Sequence, residues 1–243
     1  MTAAPILDIQ GINKSFGGLK ALNDVSFSVQ PGELLGIAGP NGSGKSTLFN
    51  VISHIPFGPD SGTIVFDGQR IEHMKAHDIA ALGLTRTFQK DAEFPNLSVR
   101  ETIELAAVYG AKNKKPAHQI EDQLELLEFD LARINIPTTE LSVYERKQTM
   151  IASALVMNPK VLMLDEPASG LTKPEIESLD RLLRKINSQS VTVVLIEHVL
   201  TLLLSVSQRL IVLNEGKLLA QGDPKAVFKN PQVIDAYLGK RVA

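Results

Sequence analysis

The run GPNGSGKST, Gly39–Thr47, has the residue types and spacing of a loop that wraps phosphate oxygens. Gly39, Gly42 and Gly44 permit a tight backbone turn, with Pro40, Asn41 and Ser43 between them. Successive backbone amides and the start of a following helix would supply N–H donors to phosphate. Lys45 can reach the outer phosphates, Ser46 can contact magnesium, and Thr47 can support the phosphate contacts. A second run, VLMLDEP at Val161–Pro167, carries two acids to the end of four apolar residues. Asp165 could hold magnesium through water, and Glu166 could orient or deprotonate an attacking water. Together these groups point to transfer of a terminal phosphoryl group from a nucleotide to water.

Both runs need strands to present them. LLGIAG at 34–39 is a short apolar strand before the glycine loop, and KSTLFNVI suits the helix after it. The runs ILDIQGINKSF and ALNDVSFSV alternate as sheet strands do, and TIVFDG is a strand closed by an Asp67-Gly68 turn. KVLMLDE and VTVVLIE read as buried strands, and QRLIVLNEGKLLAQG as two strands about a turn. PEIESLDRLLRKI is a helix with Pro174 in its first turn, and DPKAVFKNPQVIDAYL closes the chain with helices. Strands alternating with helices around the phosphate loop predict a three-layer α/β core. Between them, SVRETIELAAVYG reads as a helix, followed by the basic linker AKNKKP. Ile120, Leu124, Leu127, Leu131 and Ile134 recur at steps of three and four, as on one face of a single amphipathic helix. Another helix is expected from Ser142, where Ser142 and Glu145 form a capping-box pattern.

Composition narrows the remaining classes. The chain has 243 residues, 44% hydrophobic and 21% charged, enough for a substantial core. It has no cysteine, which excludes disulfides, thiol chemistry and Cys-based metal sites. A net charge of −2 gives no global argument for nucleic-acid binding, and no nucleic-acid partner is expected. The stretch VTVVLIEHVLTLLLSVSQRLIVL approaches membrane-helix length, but Glu197, His198, Gln208 and Arg209 interrupt it. It reads as strand, turn, helix and strand. The start, MTAAPILDIQG, lacks the pattern of a secretory leader. His54, His73, His77 and His118 have no metal-ligand spacing.

A phosphate loop near residue 40, a helical insertion and LDEP near 165 resemble the ATP-binding subunits of ABC transporters along essentially the whole chain. The resemblance implies an α/β fold. Its parts are a P-loop NTPase three-layer core at 1–89 and 156–243, an antiparallel β subdomain, and an inserted α-helical subdomain at about 90–155. It implies ATP and Mg2+ as cofactors. Phe16, in NKSFGGLKAL, matches the aromatic that stacks on adenine. Gln89, in TRTFQ, matches a lever residue that joins magnesium and water to the helical subdomain. ASGLT at 168–172 matches the loop that links the two sites of a dimer, and His198, in LIEHV, matches the histidine that contacts the terminal phosphate and attacking water.

The resemblance also implies partners: a second ATP-binding subunit, transmembrane permease subunits, and indirectly a solute-binding protein. Peripheral attachment at the cytoplasmic face of the inner membrane follows from those partners. TRTFQ, LIEHV and NPQVIDAYLGK are similar to subunits of branched-chain amino acid importers, and of related urea or amide importers. Lipid or lipopolysaccharide exporter subunits are an alternative of similar length. A soluble ATPase of translation or DNA repair is another, but the chain has room for neither a second cassette nor a long coiled coil. A weakly hydrolysing, ATP-binding assembly subunit remains a third.

The signature that faces the opposite subunit's ATP matches LSVYERKQ, 141–148. Ser142 is retained and can donate to a terminal phosphate, but Val143 and Tyr144 replace two usual glycines. Tyr144 is expected to crowd the approach to the helix start. That mismatch favours a heterodimer with unequal sites.

Overall fold

Alternation in the first third of the chain builds a small antiparallel sheet. The computed structural model describes residues 4–88, 94–110 and 118–238. Strands β1 (Leu7–Phe16) and β2 (Leu19–Val29) pair antiparallel. Next come β3 (Leu34–Ala38), α1 (Lys45–Ser53), β4 (Ser61–Phe66) and β5 (Gln69–Arg70). The order β2-β1-β4-β5 completes this four-stranded sheet. Helix α2 (Ala76–Leu82) leads into β6 (Leu84–Arg86).

Helices α3 (Val99–Gly110), α4 (His118–Leu126) and α5 (Val143–Leu155) intervene before β7 (Val161–Asp165). Helix α6 (Lys173–Ser188), β8 (Thr192–Ile196), α7 (Leu200–Val206), β9 (Arg209–Asn214), β10 (Lys217–Gly222), α8 (Pro224–Phe228) and α9 (Pro231–Leu238) follow. The membrane-length apolar stretch is therefore β8, α7 and β9. Among the described residues no helix is long and apolar enough to cross a membrane.

The second sheet has six strands in the order β10-β9-β3-β8-β7-β6. Strand β3 runs parallel to both β8 and β9, and β7 runs parallel to β6 and β8. Its apolar runs are buried on both faces because period-two alternation divides them between two cores. Leu34, Leu162, Leu164, Val193 and Leu195 face the core shared with the later helices. Leu35, Ile37, Met163, Val194 and Ile196 face the core shared with α1 and the antiparallel sheet. The architecture is the expected three layers, a P-loop NTPase core with a flanking helical subdomain.

The single amphipathic helix expected from Ile120 to Ile134 divides into two. Helix α4 ends at Leu126, and Glu128 follows in the left-handed region at φ 58. The Phe129 N–H donates to the Leu124 carbonyl at 2.9 Å, and Glu128 N–H to the Glu125 carbonyl at 3.0 Å. That is a Schellman closure with Glu128 in the place glycine usually takes. Asp130 then accepts from Ala132 N–H at 3.0 Å and starts a 3-10 turn at Leu131–Arg133. Burial of Phe129 holds the break, so the periodic residues reach one core from two elements.

Candidate functional site

Parallel pairing brings the two motif runs together. Ile37 lies opposite Ile196, and Asp165 also lies opposite Ile196. The carboxyl ends of β3, β7 and β8 therefore emerge at one edge, the usual place for a ligand in an open α/β sheet. Gly39–Gly44 leave β3, Glu166 leaves β7, and Glu197 and His198 leave β8.

The phosphate loop needs its glycines for contact as well as conformation. A Cβ on Gly39 would lie 2.2 Å from the Leu213 carbonyl oxygen, and one on Gly44 would lie 2.6 Å from that of Ala21. Gly42, at φ 77, has no atom within 4 Å of its Cβ position, so the mouth of the loop is open. Pro40 is half-buried and Asn41 exposed. Ser43 is buried, and its Oγ has no hydrogen-bond partner. Lys45 is buried, and its Nζ donates to the carbonyls of Gly39 at 2.8 Å and Pro40 at 3.0 Å. Burial lowers its pKa, opposed by the Glu166 and Asp165 carboxylates. Ser46 is exposed and Thr47 half-buried on the first turn of α1.

Asp165 and Glu166 take different environments although adjacent. Asp165 is 3% exposed, with one carboxylate oxygen 2.7 Å from Arg86 Nη2 and the other lacking a hydrogen-bond partner. Burial pushes its carboxyl pKa up, against the pull of the guanidinium. Glu166 turns through the left-handed region at φ 50, and its Oε1 lies 2.7 Å from His198 Nε2. The acid and the histidine proposed from sequence are thus in contact. Gln89 lies outside the described residues.

Three further residues at the site escaped the motif reading. Arg86 stands in TRTFQ, but its neighbours come from distant segments. It also donates to Asn50 Oδ1 at 2.7 Å and Ser53 Oγ at 3.2 Å. Phe57 meets Phe16 edge to face, with ring centroids 5.1 Å apart. Phe16 itself is 44% exposed, and Lys14, paired with Asp60 at 2.7 Å, lies over both rings. Glu197 is buried behind the Glu166–His198 pair. The sequence signal for Glu197 was its place beside His198. Phe57 carried none, since it lies between Pro56 and Gly58 in a loop.

Ser142 caps α5 as expected. Its Oγ accepts from Glu145 N–H at 3.2 Å, and Glu145 accepts back from Ser142 N–H at 2.8 Å. Glu145 is further fixed by Arg133 Nε at 2.5 Å. Tyr144, expected to crowd the helix start, is half-buried. Its ring packs against the core cluster, and its hydroxyl is buried on the side of Ser178 in α6. Burial pushes that hydroxyl's pKa up. Part of the bulk is taken up by the chain's own interior, and Ser142 stays exposed at the helix start. Tyr144→Gly is accordingly expected to destabilise by roughly 2–4 kcal/mol, through lost packing and helix propensity. Urea unfolding would measure it, and an unchanged midpoint would contradict the inward packing.

A phosphate loop, a buried acid and a Glu–His pair on one edge of this sheet define an ATP-hydrolysing cassette. Residues 22–169 match the family model described as ABC transporter, and the chain belongs to the ATP-binding subunits of that family. It is an ATP-binding and ATP-hydrolysing transporter subunit. Residues 217–243 match a second model, described as Branched-chain amino acid ATP-binding cassette transporter.

The chain is 35% identical to the high-affinity branched-chain amino acid transport ATP-binding protein BraF of Pseudomonas aeruginosa, covering 97% of this chain and 98% of BraF. It is 34% identical to LivG, the protein of the same description in Escherichia coli K12, with the same coverage. The crystal structure of a nucleotide-free ATP-binding cassette from an ABC transporter superposes with a TM-score of 0.90 at 29% identity, covering 97% of this chain and all of that one. A cassette in its ADP conformation superposes at 0.89 and 29%, covering 98% of this chain and all of the other.

Family membership implies use of ATP with magnesium, and the residues present fit that pair. The loop mouth at Gly42 is open, Ser46 is exposed, and Asp165 keeps one buried oxygen without a partner. Magnesium is commonly held by one or two protein ligands, with phosphate and water completing its shell.

Proposed function

We propose that this chain is one of two ATPase subunits powering branched-chain amino acid uptake. The observation that carries the catalytic part is the 2.7 Å contact between Glu166 and His198 beside the phosphate loop. The solute assignment is supported by the match at 217–243 and by alignment with BraF and LivG over nearly the whole chain.

In this reading Phe16 stacks on adenine, backed edge-on by Phe57. Gly39–Gly44, with Pro40, Asn41 and Ser43, cradle the phosphates through backbone amides. Lys45 leaves its own loop carbonyls for the outer phosphates, and Thr47 supports them. Ser46 and Gln89, with Asp165 through water, would hold magnesium, which would neutralise phosphate charge. Glu166 orients the attacking water and accepts its proton. His198 fixes that carboxylate and donates toward the terminal phosphate. Catalysis is positioning and charge stabilisation.

A groove of about 360 Å³ between the core and the helical unit at about 90–155 is the seat for a permease. Ile55, Leu84, Phe88, Phe94, Leu105 and Met150 line it, an apolar trough suited to an amphipathic helix. Such docking would keep the subunit peripheral, at the cytoplasmic face. A solute-binding protein would contact the permease and not this chain.

Reconstitution with the cognate permease, second ATPase and binding protein tests the reading. ATP-dependent leucine, isoleucine and valine accumulation is expected. Transport of urea or short amides with no branched-chain uptake would reassign the solute, and outward lipid movement would reverse the direction.

A further inference from the structure

Glu197 is 2% exposed, and its carboxylate is divided between two loops. Oε1 accepts from the Ala168 N–H at 2.6 Å, on the loop that carries Glu166 away from β7. Oε2 accepts from the N–H groups of His198 at 3.0 Å and Val199 at 3.3 Å, on the loop after β8. Among the described residues no lysine or arginine pairs with it. Burying a carboxylate without a cation is unfavourable unless hydrogen bonds replace its water. Here three backbone donors do so, and charge-assisted bonds of this kind are the stronger class.

The same two loops are joined a second time at the reacting side chains. Glu166 N–H donates to the Ile196 carbonyl at 2.9 Å, and Glu166 Oε1 meets His198 Nε2 at 2.7 Å. Glu166 also holds an unfavourable left-handed backbone, at φ 50, which its surroundings must sustain. The backbone clip at Glu197 thus sits directly behind the side-chain contact. Burial, with the nearby Glu166 carboxylate, pushes the Glu197 carboxyl up, and the three N–H donors oppose that shift.

We propose that Glu197 is a positioning residue for ATP hydrolysis, clipping the loop after β7 to the loop after β8 so that Glu166 and His198 meet. The inference rests on the reading that this pair handles the attacking water. Two acceptor oxygens are the chemical requirement. A glutamine side chain has nearly the same shape but only one acceptor. Its amide N–H2 would confront either Ala168 N–H or the His198 and Val199 N–H groups. One half of the clip is lost whichever way the amide turns.

The test uses the full chain in its assembled transporter, with Glu197→Gln, Glu197→Asp and Glu166→Gln made separately. Glu197→Asp keeps the charge but shortens the arm, and it carries the test should the glutamine variant fail to fold. Both Glu197 variants are expected to lose about 10²-fold in kcat, as small misplacements of reacting groups do. KM for ATP should stay close to that of the parent, and amide exchange should quicken at Ala168 or at His198 and Val199 while the rest of the sheet stays protected. Folded Glu197 variants with wild-type kcat would overturn the proposal. Equal losses in kcat and nucleotide binding would do the same, since they indicate general damage to the site. Wild-type turnover in Glu166→Gln would sink the reading of the pair and this inference with it. An inactive Glu166→Gln beside normal Glu197 variants would sink the clip alone.

Discussion

Glu166→Gln is expected to lower ATP turnover by roughly 10²–10⁴-fold, the range for removing a positioned general base. Nucleotide binding should persist, because the substitution leaves Gly39–Thr47 untouched. Glutamine keeps a hydrogen bond to His198 but cannot accept the water's proton. The retained His198 contact makes this a cleaner experiment than alanine, which would also free the histidine. In an assembly of two different ATPases the same substitution reports on asymmetry. The phosphate loop of this chain would face the partner's signature, while the partner's would face LSVYE at 141–145. Glu166→Gln here should then cost more than the equivalent change in the partner, measured as phosphate release by each mixed assembly. Equal losses would exclude strict asymmetry. Tyr144 itself packs against the chain's own core.

Arg86→Ala should be the most destabilising single change at the site, at about 3–5 kcal/mol, because it leaves a buried charge uncompensated. The side chains of Arg86 and Asp165 are 5% and 3% exposed and meet at 2.7 Å. The guanidinium also lies 5.4 Å from the Phe49 ring centre and 5.2 Å from that of Phe88, so little water can replace it. The effect has a sign in pH. Burial already pushes the Asp165 carboxyl above its ordinary range, and removing Arg86 removes the main opposing pull. A carboxyl whose folded pKa is raised binds more protons folded than unfolded, so stability falls as pH rises through the interval between the two values. The deficit of Arg86→Ala is thus expected to grow as pH rises above the ordinary aspartate range and to level off above the folded value. Urea unfolding at several pH values measures it, and a pH-independent deficit would contradict the buried-pair account.

Local chemistry carried much of this molecule. Gly39–Thr47 is contiguous, so its glycine spacing alone specified a phosphate loop between β3 and α1. The capping box at Ser142–Glu145 marked the start of α5, and Pro174 marked the first turn of α6, each within the reach of one turn. The acids at 165 and 166 could be placed at a strand's end because the apolar run before them is unbroken. The break after α4 was less legible, since Glu128 closes the helix where glycine would have announced it. Short-range signals of this kind depend only on backbone geometry within a few residues.

Strand order and register decided the rest. Arg86 and Asp165 are 79 positions apart, and Ala168 and Glu197 are 29 apart. No periodicity relates either pair. They meet because β6, β7 and β8 lie side by side and parallel, which sends their following loops to one edge. Phe57 reached Phe16 in the same way, through β4 pairing beside β1. Tyr144 had two faces open to it on a helix start, and the space beside α6 settled which it took. The amino-acid sequence by itself determined the reacting groups and the class of chemistry. The tertiary structure chose the partners that hold those groups, because a buried charge takes its partner from whatever the packed strands place within hydrogen-bond reach.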